Sequence, residues 1–151
     1  MALSARDVMK LIDDWHPRSC KTEKDFELSL HKHLEKSLPN ADVIKQYAAG
    51  RVKGDIVIDG NVLIEIKDSL DSTGQLQRLI GQLDIYHTQW KGKVIVLICG
   101  DVQRDLMKSL NLKIEALKQD EVRRNFFGEQ RIFLTARDKK VLPAEKSFFS
   151  W

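Results

Sequence analysis

Apolar positions recur at helical spacing in four stretches of the chain, and alternate or run together in five others. Val8, Leu11, Ile12 and Trp15 fall on one helical face. Ser4 with Asp7 forms a capping box that starts this helix, and Pro17 stops it. Phe26, Leu30, Leu34 and Leu38 recur every four residues, so a second helix is expected over 22–38, with Thr22 as N-cap and Pro39 just beyond. Glu23 and Glu27 lie beside its buried stripe.

The period then changes. Residues 42–48 are β-friendly, and residues 51–58 and 62–67 flank Asp59-Gly60-Asn61, a strong hairpin signal. From Ser72 or Thr73, the positions Leu76, Leu79, Ile80, Leu83, Tyr86, His87 and Trp90 trace a broad helical face that Gly92 ends. Residues 93–99 read as a fully buried strand. Asp101 is expected to cap a fourth helix with the stripe Val102, Leu106, Leu110, Ile114 and Leu117, broken near Asn111. Residues 131–137 make a last strand, and Phe148, Phe149 and Trp151 are expected to pack on the core or on a second subunit. The order α, α, β, β, β, α, β, α, β predicts an α/β fold, a mixed β-sheet with helices on both faces. With no repeat, low-complexity tract or linker, residues 1–151 read as one domain.

The hairpin carries the chemistry. Alternation puts Glu65 and Lys67 on one face of their strand and Ile64 and Ile66 on the other. A two-residue turn would set Asp55 opposite Ile64, on the wrong face. A three-residue loop, 59–61, pairs Ile58 with Val62, sets Asp55 opposite Glu65, and gathers Ile56, Ile58, Val62, Ile64 and Ile66 on one apolar face. That register asks Asn61 for a left-handed conformation, which Asn tolerates. Two adjacent carboxylates repel unless a cation lies between them, and hard oxygen ligands suit Mg²⁺ or Mn²⁺. Such an ion can polarise a phosphate, while Lys67, projecting to the same side, is expected to hold an attacking water or stabilise the charge developing on phosphate. The bland alternative is a solvated strand face with a cross-strand charge pair.

Other features narrow the function classes. A net charge of +3 is compatible with a polyanionic partner without requiring one. Arg51 and Lys53, with Lys53 expected on the face of Asp55, are candidates for phosphate contact, as are Arg123, Arg124, Lys139 and Lys140 more weakly. Cys20, in a polar loop, and Cys99, ending an apolar run, make neither a zinc site nor a disulfide framework. His16, His31, His33 and His87 lack metal-ligand spacing, although His31 is within reach of Glu27. There is no Walker pattern, nucleophile elbow or dinucleotide motif. The first fifteen residues lack a signal-peptide core, and the longest apolar run, 94–99, is too short to span a bilayer. A cytoplasmic protein without a membrane partner is expected.

An Asp on one hairpin strand followed by Glu-x-Lys on the next resembles the PD-(D/E)xK nuclease superfamily, whose restriction-endonuclease-like core is three-layered in the order α-β-β-β-α-β. The resemblance covers about residues 22–100, leaving 4–16 as an N-terminal helical extension and the last helix and strand as additions. It implies that Asp55 and Glu65 hold the divalent ion, helped by the backbone carbonyl of Ile66 and by Glu27 on the first core helix. Gln82 and Tyr86 resemble the Gln-x-x-x-Tyr motif of RecB-like members, which implies a catalytic or phosphate-binding Gln82 and a DNA-contacting Tyr86. Gly54 stands where the superfamily name has Pro. The expected function is a Mg²⁺-dependent DNA endonuclease of restriction, homing or junction-resolving type, acting as a homo-oligomer on DNA. The alternative is an inactive nuclease-fold module that binds nucleic acid or joins a larger complex.

Overall fold

The computed structural model describes residues 3–124 and 129–140. Four helices and five strands follow in the expected order: α1 (Ala5–Asp13), α2 (Glu23–Ser37), β1 (Val43–Ala49), β2 (Val52–Ile58), β3 (Val62–Lys67), α3 (Thr73–Gln89), β4 (Lys93–Ile98), α4 (Arg104–Arg124) and β5 (Ile132–Ala136). Three helices begin on reciprocal capping boxes: Ser4 with Asp7, Thr22 with Asp25, and Ser72 with Gln75. Each satisfies backbone donors that the first helical turn leaves unpaired, a contribution of about 1 kcal/mol.

The strands form one mixed sheet in the order β1-β2-β3-β4-β5. The first two pairings are antiparallel, and the last two are parallel. Helices α1 and α2 pack on one face, over Ile56, Ile58, Val62, Ile64, Ile66, Ile95, Leu97 and Cys99. Helices α3 and α4 pack on the other, over Val57, Leu63, Val94, Val96 and Ile98. The result is a three-layer α/β arrangement. Strands β3 and β4 lie in the middle with both faces covered, which is why their sequences are apolar nearly throughout.

Several local expectations change. Helix α4 starts at Arg104 rather than on Asp101, because residues 101–103 continue the parallel pairing: Leu70 N–H donates to Asp101 O at 2.8 Å and Gln103 N–H to Leu70 O at 2.8 Å. It also runs unbroken through Asn111, since buried Leu110, Ile114 and Leu117 keep one continuous stripe against the sheet. In the hairpin, Asp59 and Gly60 are the left-handed residues, with φ of 53° and 63°, and Asn61 is not. Asn61 N–H donates back to Ile58 O at 3.0 Å, while its carbonyl accepts from Lys93 N–H at 2.8 Å. Both central residues have the positive φ that a twisted hairpin favours. Cys20 is buried, its thiol directed at the Asp25 carbonyl, because the loop carrying it folds over α2. The aromatic tail, Phe148, Phe149 and Trp151, lies outside the described residues.

Candidate active site

Strands β2 and β3 pair as Ile58↔Val62, Val57↔Leu63 and Ile56↔Ile64, the register that the apolar sorting predicts. The backbone ladder stops there. At the next position the Asp55 carboxylate takes the place of a backbone acceptor, receiving the Ile66 N–H on Oδ2 at 2.7 Å. Because a strand residue directs its N–H and C=O to the same neighbour, the Ile66 carbonyl opens toward the same gap.

The ladder stops because β2 changes face. Val52 and Val57 both join the α3–α4 core, although an odd sequence separation should place them on opposite faces. The slip falls around Asp55. Gly54 allows it: a Cβ there would stand 2.7 Å from Leu63 Cγ, inside the van der Waals limit. Across on β1, Gln46 is opposite Asp55, between the pairs Lys45↔Ile56 and Tyr47↔Gly54, and has the positive φ of 53°. A non-glycine left-handed residue in mid-strand is uncommon and strained. The placement of Lys53 beside Asp55 rested on unbroken alternation, which ends here; its side chain is exposed.

Glu65 is 4% exposed and its carboxylate is the hub of the site. Tyr86 Oη lies 2.5 Å from Glu65 Oε1, Lys67 Nζ 3.3 Å from Oε2, and Gln82 Nε2 donates to Oε2 at 3.4 Å. Tyr86 Oη is also 2.6 Å from the Lys53 carbonyl. A phenol has one proton and cannot donate to both oxygens. It donates to one of them at a time, to the Glu65 carboxylate or to the Lys53 carbonyl. Burial pushes the Glu65 carboxyl above its ordinary range, against the opposing pull of Lys67 and of the Tyr86 hydroxyl. Asp55 is pushed up to about 7, by burial first and by the Glu65 charge second, with the Ile66 N–H opposing. A cation between the two carboxylates would reverse both shifts.

Asp55, Glu65, Lys67, Gln82 and Tyr86 thus meet at one place. Tyr86 is 2% exposed, however, so its hydroxyl is occupied inside the protein and is not available to a DNA backbone. Glu27 is buried on α2, near enough to repel a charge on Asp55, but its carboxylate takes the Gln46 amide. Among the described residues, no three His, Cys, Asp or Glu side chains converge closely enough to hold a metal ion unaided. Gln46 is the site residue that the sequence did not reveal. Nothing in composition marks a glutamine for positive φ, and only the register of β1 would have set it against Asp55.

Of the remaining candidates, His31, His33, His87, Lys139 and Arg124 have structural partners. His31 Nε2 bonds the Val43 carbonyl at 2.9 Å and its Nδ1 faces Glu35 rather than Glu27. His33 bonds the Leu11 carbonyl, and His87 pairs with Asp120 at 2.6 Å. Lys139 is not a surface phosphate contact: it is buried, and its ammonium donates to the carbonyls of Ile12 and Trp15 at the end of α1. Arg124 is exposed and paired with Asp120, and Arg123 and Lys140 are exposed. Arg51 is exposed in the turn between β1 and β2 and shares the lining of an open groove with Gln82. No described helix is long and apolar enough to cross a membrane. Scans against protein-family models, curated proteins and solved structures return no match to this chain.

Proposed function

We propose that this chain is a divalent-metal-dependent DNA endonuclease with a restriction-endonuclease-like fold, using Asp55, Glu65 and Lys67 to hydrolyse phosphodiester bonds. The observation that carries this reading is the break in the β2–β3 ladder, where the Asp55 carboxylate sits on the Ile66 N–H beside the Glu65–Lys67 pair. A structural hairpin gains nothing from burying two carboxylates whose charged forms burial disfavours. The donor set fits Mg²⁺, which is commonly bound through one or two carboxylates and completes its shell with water and substrate phosphate. Asp55, Glu65 and the Ile66 carbonyl would hold it, with Glu27 approaching from α2 once released from Gln46. The Gln82 Oε1 is buried and has no hydrogen-bond partner, as expected of an acceptor waiting for a ligand.

When bound, Mg²⁺, or Mn²⁺ in its place, would polarise the scissile phosphate and lower the pKa of water. The chain's own groups do the rest. Lys67 leaves its contact with Glu65 to orient the attacking water and to offset charge on the phosphoryl oxygens. Gln82 and Tyr86 keep Glu65 aimed, and burial of the carboxylate keeps bulk water away. A homodimer would set two such sites on the two strands of a duplex.

The test is cleavage of supercoiled plasmid, linear duplex, single strand and four-way junction, each with Mg²⁺, Mn²⁺ or EDTA. Metal-dependent cutting that Glu65→Ala and Lys67→Ala both abolish is the expected result. Binding without cutting of any substrate in either metal would favour the other reading, an inactive nuclease-fold module. That reading draws on the lack of three converging metal-ligating side chains among the described residues.

A further inference from the structure

A groove of about 620 Å³ runs along the outer side of α3, open to solvent. Arg51 from the β1–β2 turn lines it, with Arg78, Gln82, Asp84, Ile85 and Thr88 from α3. Both arginines are exposed, and neither makes an ion pair among the described residues. The one carboxylate in the lining, Asp84, is held by Lys113 at 2.7 Å. The uncompensated charge of the groove is therefore positive.

Gln82 belongs to both the groove and the site. Its amide donates to Glu65, and its Oε1 is the buried acceptor without a partner. Whatever occupies the groove thus meets Gln82, which is one hydrogen bond from the Glu65 carboxylate. Guanidinium forks match phosphate oxygens in two-point contacts. No aromatic residue lines the groove, so it offers no platform on which bases stack. Contacts to phosphate position a strand without reading its sequence.

We infer that this groove binds the sugar-phosphate backbone of the strand entering the site, with Arg51 and Arg78 each taking a phosphate beside the scissile one and with no base preference. The inference rests on the nuclease reading for the fate of the strand, but its binding step needs neither metal nor chemistry.

The experiment measures anisotropy of a fluorescein-labelled duplex and its single strand in EDTA, across a salt series and with two unrelated base sequences. The proteins are wild type, Arg51→Ala, Arg78→Ala and the exposed-lysine control Lys36→Ala on α2. The expected result is affinity about tenfold weaker for each arginine variant on either sequence, with the log–log salt slope reduced by about 1. Lys36→Ala stays near wild type, and circular dichroism stays unchanged because both arginines are exposed. Arginine variants that bind like wild type, or lose no more than Lys36→Ala, overturn the groove assignment. So does a wild type that binds neither probe. A wild type that cuts DNA while the arginine variants bind and cut equally overturns the groove alone. A wild type that never cuts but loses binding with both arginines keeps the groove and overturns the nuclease.

Discussion

Tyr86 holds Glu65 from α3: the phenol oxygen is 2.5 Å from Glu65 Oε1 and 2.6 Å from the Lys53 carbonyl. The phenol therefore ties α3 to both strands of the site, to β3 through Glu65 and to β2 through Lys53. Burial and the Glu65 charge push the Tyr86 pKa up, so the phenol keeps its proton at every working pH. Tyr86→Phe removes the hydroxyl that the buried Glu65 carboxylate and the part-buried Lys53 carbonyl share, at a cost of about 1–3 kcal/mol. The urea midpoint should fall accordingly with the slope unchanged. A midpoint at the wild-type value would show that the phenol holds neither oxygen. In a cutting assay the same variant should lose kcat more than KM, because Glu65 loses its orientation while the exposed strand contacts remain.

Gln46 combines two roles that separate substitutions can part. Its left-handed backbone is strained, and its amide holds Glu27. Gln46→Ala keeps the strain and loses the amide. Gln46→Gly loses both. The glycine variant should be the more stable of the two by about 1 kcal/mol, the cost of holding a side-chain residue in that region. Equal thermal midpoints for the two variants would show that the positive φ carries no strain in solution.

How much of this was legible follows from which forces act locally. The hairpin register was readable because five apolar residues, Ile56, Ile58, Val62, Ile64 and Ile66, had to reach one face, and a single slip would bury the acids among them. That sorting delivered Asp55, Glu65 and Lys67 together. Spacing on α3 likewise delivered Gln82 and Tyr86 to one side. The change of face in β2 was not readable, since it depends on contact between Gly54 and Leu63 and on the conformation of Gln46 on another strand. Asp101 reads locally as a helix cap, but its carbonyl is taken by Leu70, a long-range pairing that outweighs the local preference. Lys139 is charged, which suggests a surface, yet the carbonyls of Ile12 and Trp15 at the end of α1 draw its ammonium inward.

Gly54 lies against Leu63, with no space between them for a side chain. Leu63 is fully buried, so its side chain has no room to swing away from an added Cβ at 2.7 Å. Gly54→Ala should destabilise by about 1–3 kcal/mol through overpacking. Leu63→Ala alone should also destabilise, by leaving a cavity. The double variant should be more stable than the sum of the two losses predicts, with a favourable coupling of about 1 kcal/mol. Strict additivity in chemical denaturation would place the cost of Gly54→Ala in the backbone of β2 instead of in the Leu63 contact.

Asp55 links the chemistry of the site to its stability. Its folded pKa of about 7 lies above the ordinary value of 3.8, so the fold favours the neutral acid. Between those two values the native chain binds more protons than the unfolded chain, and stability must fall as pH rises across that window. Below it the neutral carboxyl is tolerated in both states; above it the full penalty is present, a few kcal/mol at about 1.4 kcal/mol per pKa unit. Glu65, also raised, acts in the same direction. Asp55→Asn keeps an oxygen for the Ile66 N–H but cannot ionise. In EDTA, its melting temperature should exceed that of wild type by a margin that grows from about pH 4 to about pH 7 and then levels. Adding Mg²⁺ above that window should raise the wild-type midpoint and leave the variant nearly unmoved, because a ligand stabilises only the state that binds it. Parallel melting curves for the two proteins across the whole range would mean that Asp55 ionises at its ordinary value and that its charge is not confined. A wild type indifferent to Mg²⁺ while the curves diverge would keep the strained carboxylate pair and remove the cation from its explanation.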